Sequence, residues 1–390
     1  MGGKLANIFQ KLYLDSAIPG AVVSLYANRV IQNIAAGAIG LFLPIFLLQQ
    51  YQSIYLVLLF YLVSFGLYLF SAASGARLAS YLTFRRALIL SVFGGTAFFI
   101  SLFLFETNLI LFSILGLAAL NIDRMFYWVP YHSAFAKFTD QKNRGRVLAL
   151  LDSAISLFSI FLPVAAGLII AHYGFNILFL IVIFVYLSSV IPLWLLPPIN
   201  EYYTFGYLQT WKILFHRRDR KILFTYLADG VQDFIGLAIW PIFIWQVLAG
   251  DFQAVGLVSS LIVLATILLR LLMGNYADKF DKKRLLRYGT ILFSLGWFFK
   301  AFIQTSFQIF FFSTYHNFAA IAMRTPFDAL MYEKAADAGH YLDEYTVLRE
   351  MALNLGRILA IVILFFLLNL TSVKFSFIIA AVAALFINLI

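Results

Sequence analysis

Blocks of about twenty apolar residues recur along the whole of this 390-residue chain. A helix rises about 1.5 Å per residue, so one block can cross a hydrocarbon core of about 30 Å. Only helices and closed barrels satisfy their backbone hydrogen bonds in lipid, and blocks of this length predict helices. We predict twelve spans, at 21–49, 52–73, 87–105, 108–134, 146–171, 174–197, 222–247, 252–275, 288–305, 308–333, 346–370 and 373–390.

The composition excludes a water-soluble protein. Hydrophobic residues make up 63% of the chain and charged residues 12%, with a mean hydropathy of +0.91. The absence of cysteine excludes disulfides and Cys-ligated metals. No phosphate-binding loop or convergent nucleophile and base can be assembled, so we expect no enzyme, cofactor or metal.

The net charge of +10 reflects topology and does not predict a nucleic-acid partner. Of 28 Lys and Arg residues, 21 lie in the N-terminal segment, at Arg349 or in the even-numbered connections between spans, and only Lys374 lies in an odd-numbered one. Basic connections stay cytoplasmic, so both termini are predicted on the cytoplasmic side of a cell membrane, either an inner or a plasma membrane. The first twenty residues read as a short amphipathic segment on its inner surface.

A polar stretch divides the chain almost evenly. It predicts a first six-helix bundle at 1–197, a linker at 198–221 and a second bundle at 222–390. Four features recur in order at offsets of 196 to 200 residues, namely LPIF and WPIF, the Gly75–Arg85 and Gly274–Arg284 pairs, VPYH and TPFD, and the VL pairs at Val147 and Val347. Such a parallel repeat is one way in which transporters build alternating access around a midplane site.

At these motifs the chain resembles the major facilitator superfamily. GNYADKFDKKR, between spans eight and nine, is similar to the family's G-x-x-x-D-x-x-G-R-[RK] loop. The first-half copy has Ala79 where the family has the acid, so an acid-based cytoplasmic gate would rest on Asp278. The residues assigned to this gate are Gly274, Asp278, Lys282, Lys283, Arg144 and Arg146.

The resemblance also implies the fold and a direction of transport. It implies an all-α membrane protein with twelve helices in two pseudo-symmetric bundles, with helices 1, 4, 7 and 10 lining the central cavity. LPVAAG in span five, which contains Pro163 and Gly167, partly resembles an element of antiporters, and this favours export slightly.

Charged residues inside the spans are the candidate site. A charge at the bilayer centre costs about 2.5–3.5 kcal/mol on insertion scales, so it should face protein or a wet cavity. Arg29, Arg124 and Arg324 fall on the implied cavity helices, and guanidinium forks match carboxylate or phosphate. Adjacent helical residues point about 100° apart, so the partners of Asp123 and Arg124 lie on other helices or in the ligand. The predicted substrate-binding residues are Arg29, Asn33, Asp123, Arg124, Trp128, Arg324 and Asp328.

A second prediction concerns proton coupling. Asp229 and Asp233 stand four residues apart on one face of span seven, where two carboxylates in a low dielectric repel and one can retain a proton. Asp152 on span five joins them as a candidate. The alternative is that the acids balance the intramembrane arginines and lock the bundle.

The favoured function is a proton-coupled secondary transporter, monomeric, that moves a small anionic or carboxylate-bearing solute by a rocker-switch mechanism. A multidrug efflux antiporter for cationic or amphipathic compounds and a lysolipid flippase are the alternatives on the same fold. A membrane sensor that binds without flux is a further one. The sequence does not identify the substrate, because one fold carries many solutes.

Overall fold

The computed structural model describes residues 20–138, 144–199, 203–216, 220–277, 281–337 and 342–389, and these ranges contain helices and no β-strand. In the first half the helices are α1 (Gly20–Gly40), α2 (Leu43–Tyr51), α3 (Ile54–Ser80), α4 (Phe84–Phe103), α5 (Leu109–Phe138), α6 (Arg144–Ser188) and α7 (Val190–Leu193). In the second half they are α8 (Tyr207–Leu214), α9 (Arg220–Phe234), α10 (Trp240–Val247), α11 (Phe252–Ala277), α12 (Lys282–Lys300), α13 (Ser306–Asp337), α14 (Leu342–Leu370) and α15 (Phe375–Leu385).

Three breaks interrupt the long helices. The helices α1 and α2 meet at an angle of 43°, and Pro44 stands in the first turn of α2. A π-helical segment, Ile235–Ile239, joins α9 to α10, with Pro241 directly after it. Gly174 has φ 79° and divides α6 between predicted spans five and six, because only glycine adopts positive φ readily.

By length and apolar character, seven helices in the described ranges can cross a membrane, or eight when the bent α1–α2 pair is counted as one span. The chain is thus an all-helical membrane protein, while twelve spans and cytoplasmic termini stay predictions. The amphipathic segment predicted at the N-terminus falls before residue 20, outside the described residues.

The most extensive contacts between the halves of the sequence are those of α3 with α14 and of α6 with α11. The rings of Tyr61 and Phe65 on α3 also pack on Phe234 of α9, with centroids 5.7 and 6.0 Å apart. Contacts between the halves therefore reach the middle of the helices. We call the end of the bundle opposite residues 203–216 the outer end.

The segment 203–216 touches both halves at the other end. Trp211 of α8 packs on Phe70 of α3, with ring centroids 5.7 Å apart. The backbone N–H and the hydroxyl of Thr204 donate to one carboxylate oxygen of Glu344 at the start of α14, at 3.0 and 2.5 Å. The segment that connects the halves in sequence is thus also packed against each of them.

Candidate functional site

Asp123 and Arg124 on α5 form hydrogen bonds with different neighbouring helices. Nη1 of Arg124 donates to the Ser64 hydroxyl of α3 at 2.9 Å, whereas the Asp123 carboxylate accepts from the Tyr186 hydroxyl of α6 at 3.1 Å. Gly95 on α4 makes room for this tyrosine, since an added Cβ would lie 2.3 Å from its ring. The two adjacent charges diverge, as their 100° spacing requires.

Arg29 of α1 lies against an aromatic wall on α5. Its Cζ is 5.5, 5.2 and 5.5 Å from the ring centroids of Tyr127, Trp128 and Tyr131, and Nη1 donates to the Tyr127 hydroxyl at 3.1 Å. These rings cover one side of the guanidinium through cation–π contacts. The nearby Asn33 amide donates to the Arg29 carbonyl at 2.7 Å within its own helix.

The second half pairs its arginines with carboxylates of α9. Arg324 of α13 forms a bidentate ion pair with Asp229, at 2.7 and 2.5 Å, and the amide of Gln232 donates to the same carboxylate at 2.7 Å. The Asp229 side chain is 6% exposed and its carboxylate accepts three hydrogen bonds. This pair joins two helices that the resemblance places around the cavity.

Asp233 pairs with a different arginine. Nε of Arg357 on α14 donates to it at 2.9 Å, and Nη1 donates to Asn354 at 3.3 Å. The Asp233 side chain remains 40% exposed. The two acids of α9 thus bind separate cations from separate helices, so ion pairing offsets the repulsion that the sequence predicts between them.

One phenylalanine brings the charges of the two halves close together. The Phe65 ring of α3 lies 5.2 Å from Cζ of Arg124 and 5.1 Å from Cζ of Arg357. Each distance is within cation–π range, so two cations from opposite halves share one aromatic side chain. The site at the middle of the bundle therefore spans the boundary between the halves.

The remaining predicted residues are exposed or lie outside the described part of the chain. Asp328 is exposed on α13, one turn beyond Arg324 towards the linker, and Lys282 and Lys283 are exposed at the start of α12. Asp278 lies outside the described residues, as do the side chains of Asp152, Arg144 and Arg146 and the surroundings of Gly274. Among the side chains that are described, no three His, Asp or Glu gather as metal ligands.

Sequence reasoning missed several partners. Ser64, Tyr186 and Asn354 are polar residues on helices that also carry other polar residues, and no spacing marks them. Lys300 was also missed because it lies near a predicted span end. It is 3% exposed, and its Nζ lies 4.2 Å from the ring centroids of both Trp240 and Trp297.

Comparisons with known proteins agree with this fold. Residues 222–390 match the family model described as Major Facilitator Superfamily. No curated protein sequence matches the chain significantly. Two crystal structures share its fold with a TM-score of 0.68 each. One is a variant of the peptide transporter POT in complex with alafosfalin, at 11% identity, covering 95% of this chain and 93% of that chain. The other is an auto-inhibited POT family peptide transporter, at 14% identity, covering 95% and 96%.

Identities this low show likeness of fold alone. The family match in the second half comes from sequence and is independent of that likeness. The second half therefore resembles a transporter family by sequence, and the chain as a whole resembles transporters by fold. The match over residues 222–390 and the shared fold over 95% of the chain confirm the resemblance to the major facilitator superfamily.

Proposed function

We propose that this protein is a proton-coupled transporter of a small carboxylate-bearing or otherwise anionic solute. It works by rocking two six-helix halves about the charges at the centre of the bundle. The observation that carries the proposal is an imbalance between the halves. Within the described residues, Arg29 and Arg124 have no carboxylate within 4 Å, whereas Arg324 and Arg357 each have one.

An anionic substrate would supply the missing counter-charge. Arg29 is held by aromatic rings and Arg124 by a serine hydroxyl, and neither partner neutralises a cation. Tyr127 and Trp128, which contact Arg29, follow Arg124 on α5 within about one helical turn. A ligand carboxylate at either guanidinium would form charge-assisted hydrogen bonds with it.

Each carboxylate of α9 can bind either a proton or the guanidinium of its arginine partner. Protonation of Asp229 or Asp233 removes the negative charge that holds Arg324 or Arg357, and it frees that cation to bind substrate. Asp233 is the more accessible of the two, with 40% of its side chain exposed. Proton binding and substrate binding would then be coupled through the same ion pairs.

Export in exchange for protons is the direction we propose. It rests on the partial likeness of LPVAAG, which includes Pro163 and Gly167, to an antiporter element. The direction is separable from the substrate class, since either could be right without the other.

Ligand-induced thermal stabilisation of the purified protein is the first test. The panel contains organic anions, sugar phosphates, amino acids, neutral sugars, cationic drugs and lysolipids, each at mildly acidic and at neutral pH. A ligand that binds the native state raises the unfolding temperature, and the rise grows with the logarithm of its concentration above the Kd. Arg124→Ala removes the proposed site, and Arg270→Ala is the matched control because Arg270 is exposed on α11.

We expect an anion to stabilise the wild type and Arg270→Ala but not Arg124→Ala. Its uptake into proteoliposomes under an imposed proton gradient then gives direction and coupling. Stabilisation by cationic drugs or lysolipids alone, unaffected by Arg124→Ala, would replace this proposal with drug efflux or lipid transport. Stabilisation by an anion without flux would assign a sensor.

A further inference from the structure

A cavity of about 350 Å³ lies at the outer end, away from the charges described above. Its walls come from both halves of the sequence. Ile54 and Tyr55 begin α3, whereas Phe243, Gln246 and Leu368 belong to α10 and α14. The remaining wall is the connection between α14 and α15, residues 371–374.

One charged side chain, that of Lys374, lines the cavity. Lys374 is the only Lys or Arg in the odd-numbered connections, and it is half-buried in this wall instead of extending into solvent. Within the described part of the chain, no carboxylate lies within 4 Å of its ammonium and no side chain accepts a hydrogen bond from it. The cavity lining includes no acid.

The other lining groups suit an anion that carries a short apolar tail. The Gln246 amide and the Ser372 hydroxyl line the cavity together with Lys374 and can supply neutral donors. Ile54, Phe243 and Leu368 line it with apolar surface. A cation, a few neutral donors and apolar surface in one cavity suit a carboxylate or a phosphate head.

The cavity exists only when the two halves are in contact at the outer end. Tyr55 stacks on Phe365 of α14 with ring centroids 6.0 Å apart, and its hydroxyl donates to Asn369 at 2.7 Å. These contacts place Tyr55 against the second-half wall. Separation of α3 from α14 would remove one wall of the cavity.

We propose that this cavity is a second anion-binding site, for a carboxylate or phosphate with a short apolar tail, and that its occupation holds the outer end closed. A ligand that binds only the closed arrangement shifts the population towards it. The site differs from the central one in position, and its binding does not require Arg29 or Arg124.

Equilibrium binding of radiolabelled hexanoate to the protein in neutral phosphatidylcholine nanodiscs tests the site. If the central site also accepts hexanoate, we expect two sites in the wild type, one in Lys374→Ala, one in Arg124→Ala and none in the double variant. Lys374→Arg should restore the outer site, and Arg270→Ala should change nothing. Affinity at the outer site should fall at least about tenfold in Lys374→Ala, the effect of one charge-assisted hydrogen bond.

The closing effect is measured separately. The chain has no cysteine, so spin labels on Thr107→Cys and Gln304→Cys, exposed in outer connections of the two halves, report their distance without background. Hexanoate should shift the distribution of distances between the two labels towards shorter values in Arg124→Ala. It should not do so in the Arg124→Ala, Lys374→Ala double variant. Displacement of hexanoate by phosphatidylglycerol in the nanodisc would identify a lipid phosphate as the resident anion and support the site.

Two results would overturn the proposal. One is unchanged hexanoate stoichiometry in Lys374→Ala, and the other is equal binding of hexylamine and hexanoate to the outer cavity. An unchanged stoichiometry in Arg124→Ala would count against the central anion site and leave the outer one standing.

Discussion

The partners of the intramembrane arginines distinguish the two halves at the scale of single residues. The cost of burying charge is readable from sequence, and it selects Arg29, Arg124 and Arg324 with no knowledge of the fold. It does not say which group offsets that cost. Arg29 meets aromatic rings and Arg324 meets a carboxylate, because partner choice depends on side chains up to 102 residues away in sequence.

Removal of one charge from the Asp229–Arg324 pair gives the first prediction. Asp229→Asn keeps the side-chain volume but leaves a partly buried guanidinium without its counter-charge, which typically costs about 3–5 kcal/mol. We expect a lower unfolding temperature and transport that no longer responds to a proton gradient. Thermal unfolding and proteoliposome flux measure the two effects.

The double variant separates stability from coupling. Asp229→Asn with Arg324→Gln removes both charges, so most of the stability should return while gradient-driven transport stays lost. Asp281→Asn is the matched control, because Asp281 is an exposed helix N-cap and asparagine caps equally well. A double variant that still concentrates substrate against its gradient would exclude this pair from coupling.

Lys300 gives a second prediction at the same scale. Its ammonium is buried between the rings of Trp240 and Trp297, with no acid within 4 Å among the described residues. An apolar side chain of similar length avoids the cost of burying that charge. Lys300→Met should therefore unfold at the same or a higher temperature, with Lys283→Met as the exposed control. A loss of several degrees would mean that the cation–π contacts outweigh desolvation.

At the scale of elements, close helix crossings depend on glycine at symmetric positions. An added Cβ on Gly167 of α6 would lie 2.4 Å from the Phe252 carbonyl oxygen, and one on Gly256 of α11 would lie 2.4 Å from the Pro163 carbonyl oxygen. Each glycine thus faces the carbonyl four residues before the other. Such small-residue crossings let two membrane helices approach backbone to backbone.

A larger side chain at this crossing should open the outer end. Gly256→Leu cannot fit without separation of α6 from α11. An added Cβ on Gly66 of α3 would meet nothing within 4 Å, so Gly66→Leu serves as the control. We expect a longer distance between spin labels on Thr107→Cys and Gln304→Cys in the first variant only. An unchanged label distance in folded Gly256→Leu would show that the larger side chain is accommodated by local shifts. The crossing of α6 and α11 would then not determine whether the outer end is closed.

The bends in spans one and seven were partly predictable from the sequence. Proline removes a backbone donor and disfavours a straight helix, so Pro44 and Pro241 mark where spans one and seven bend. The structure places a 43° bend at the first and a π-helical segment before the second. The π segment itself leaves no trace in the sequence, because an extra residue in a helical turn is stabilised by tertiary packing.

At the scale of the whole molecule, the apolar blocks and basic connections predict a helical membrane protein, and the motifs predict its family. The position of contact between the halves is not predictable in this way. Lipid-facing and partner-facing apolar surfaces have similar composition, since lipid tails are as apolar as leucine. Only the structure shows that α6 packs against α11, and α3 against α14, between the halves.

A reversible cross-link at that contact tests whether the halves must separate there during transport. The Val164 backbone N–H donates to the Ser260 hydroxyl at 3.1 Å, which brings α6 and α11 within the range that a disulfide spans. Val164→Cys with Ser260→Cys should form that bond on oxidation, and with no native cysteine no other pair can form within the chain.

Oxidation should stop flux in proteoliposomes, and reduction should restore it, while substrate-induced thermal stabilisation persists in the oxidised protein. The reason is that the central charges stay in place when only the outer end is fixed. Each single cysteine variant should transport equally under both conditions. If the oxidised protein still transports, the outer end does not open at α6 and α11, and the rocking of two halves must be replaced by a movement that leaves this contact intact.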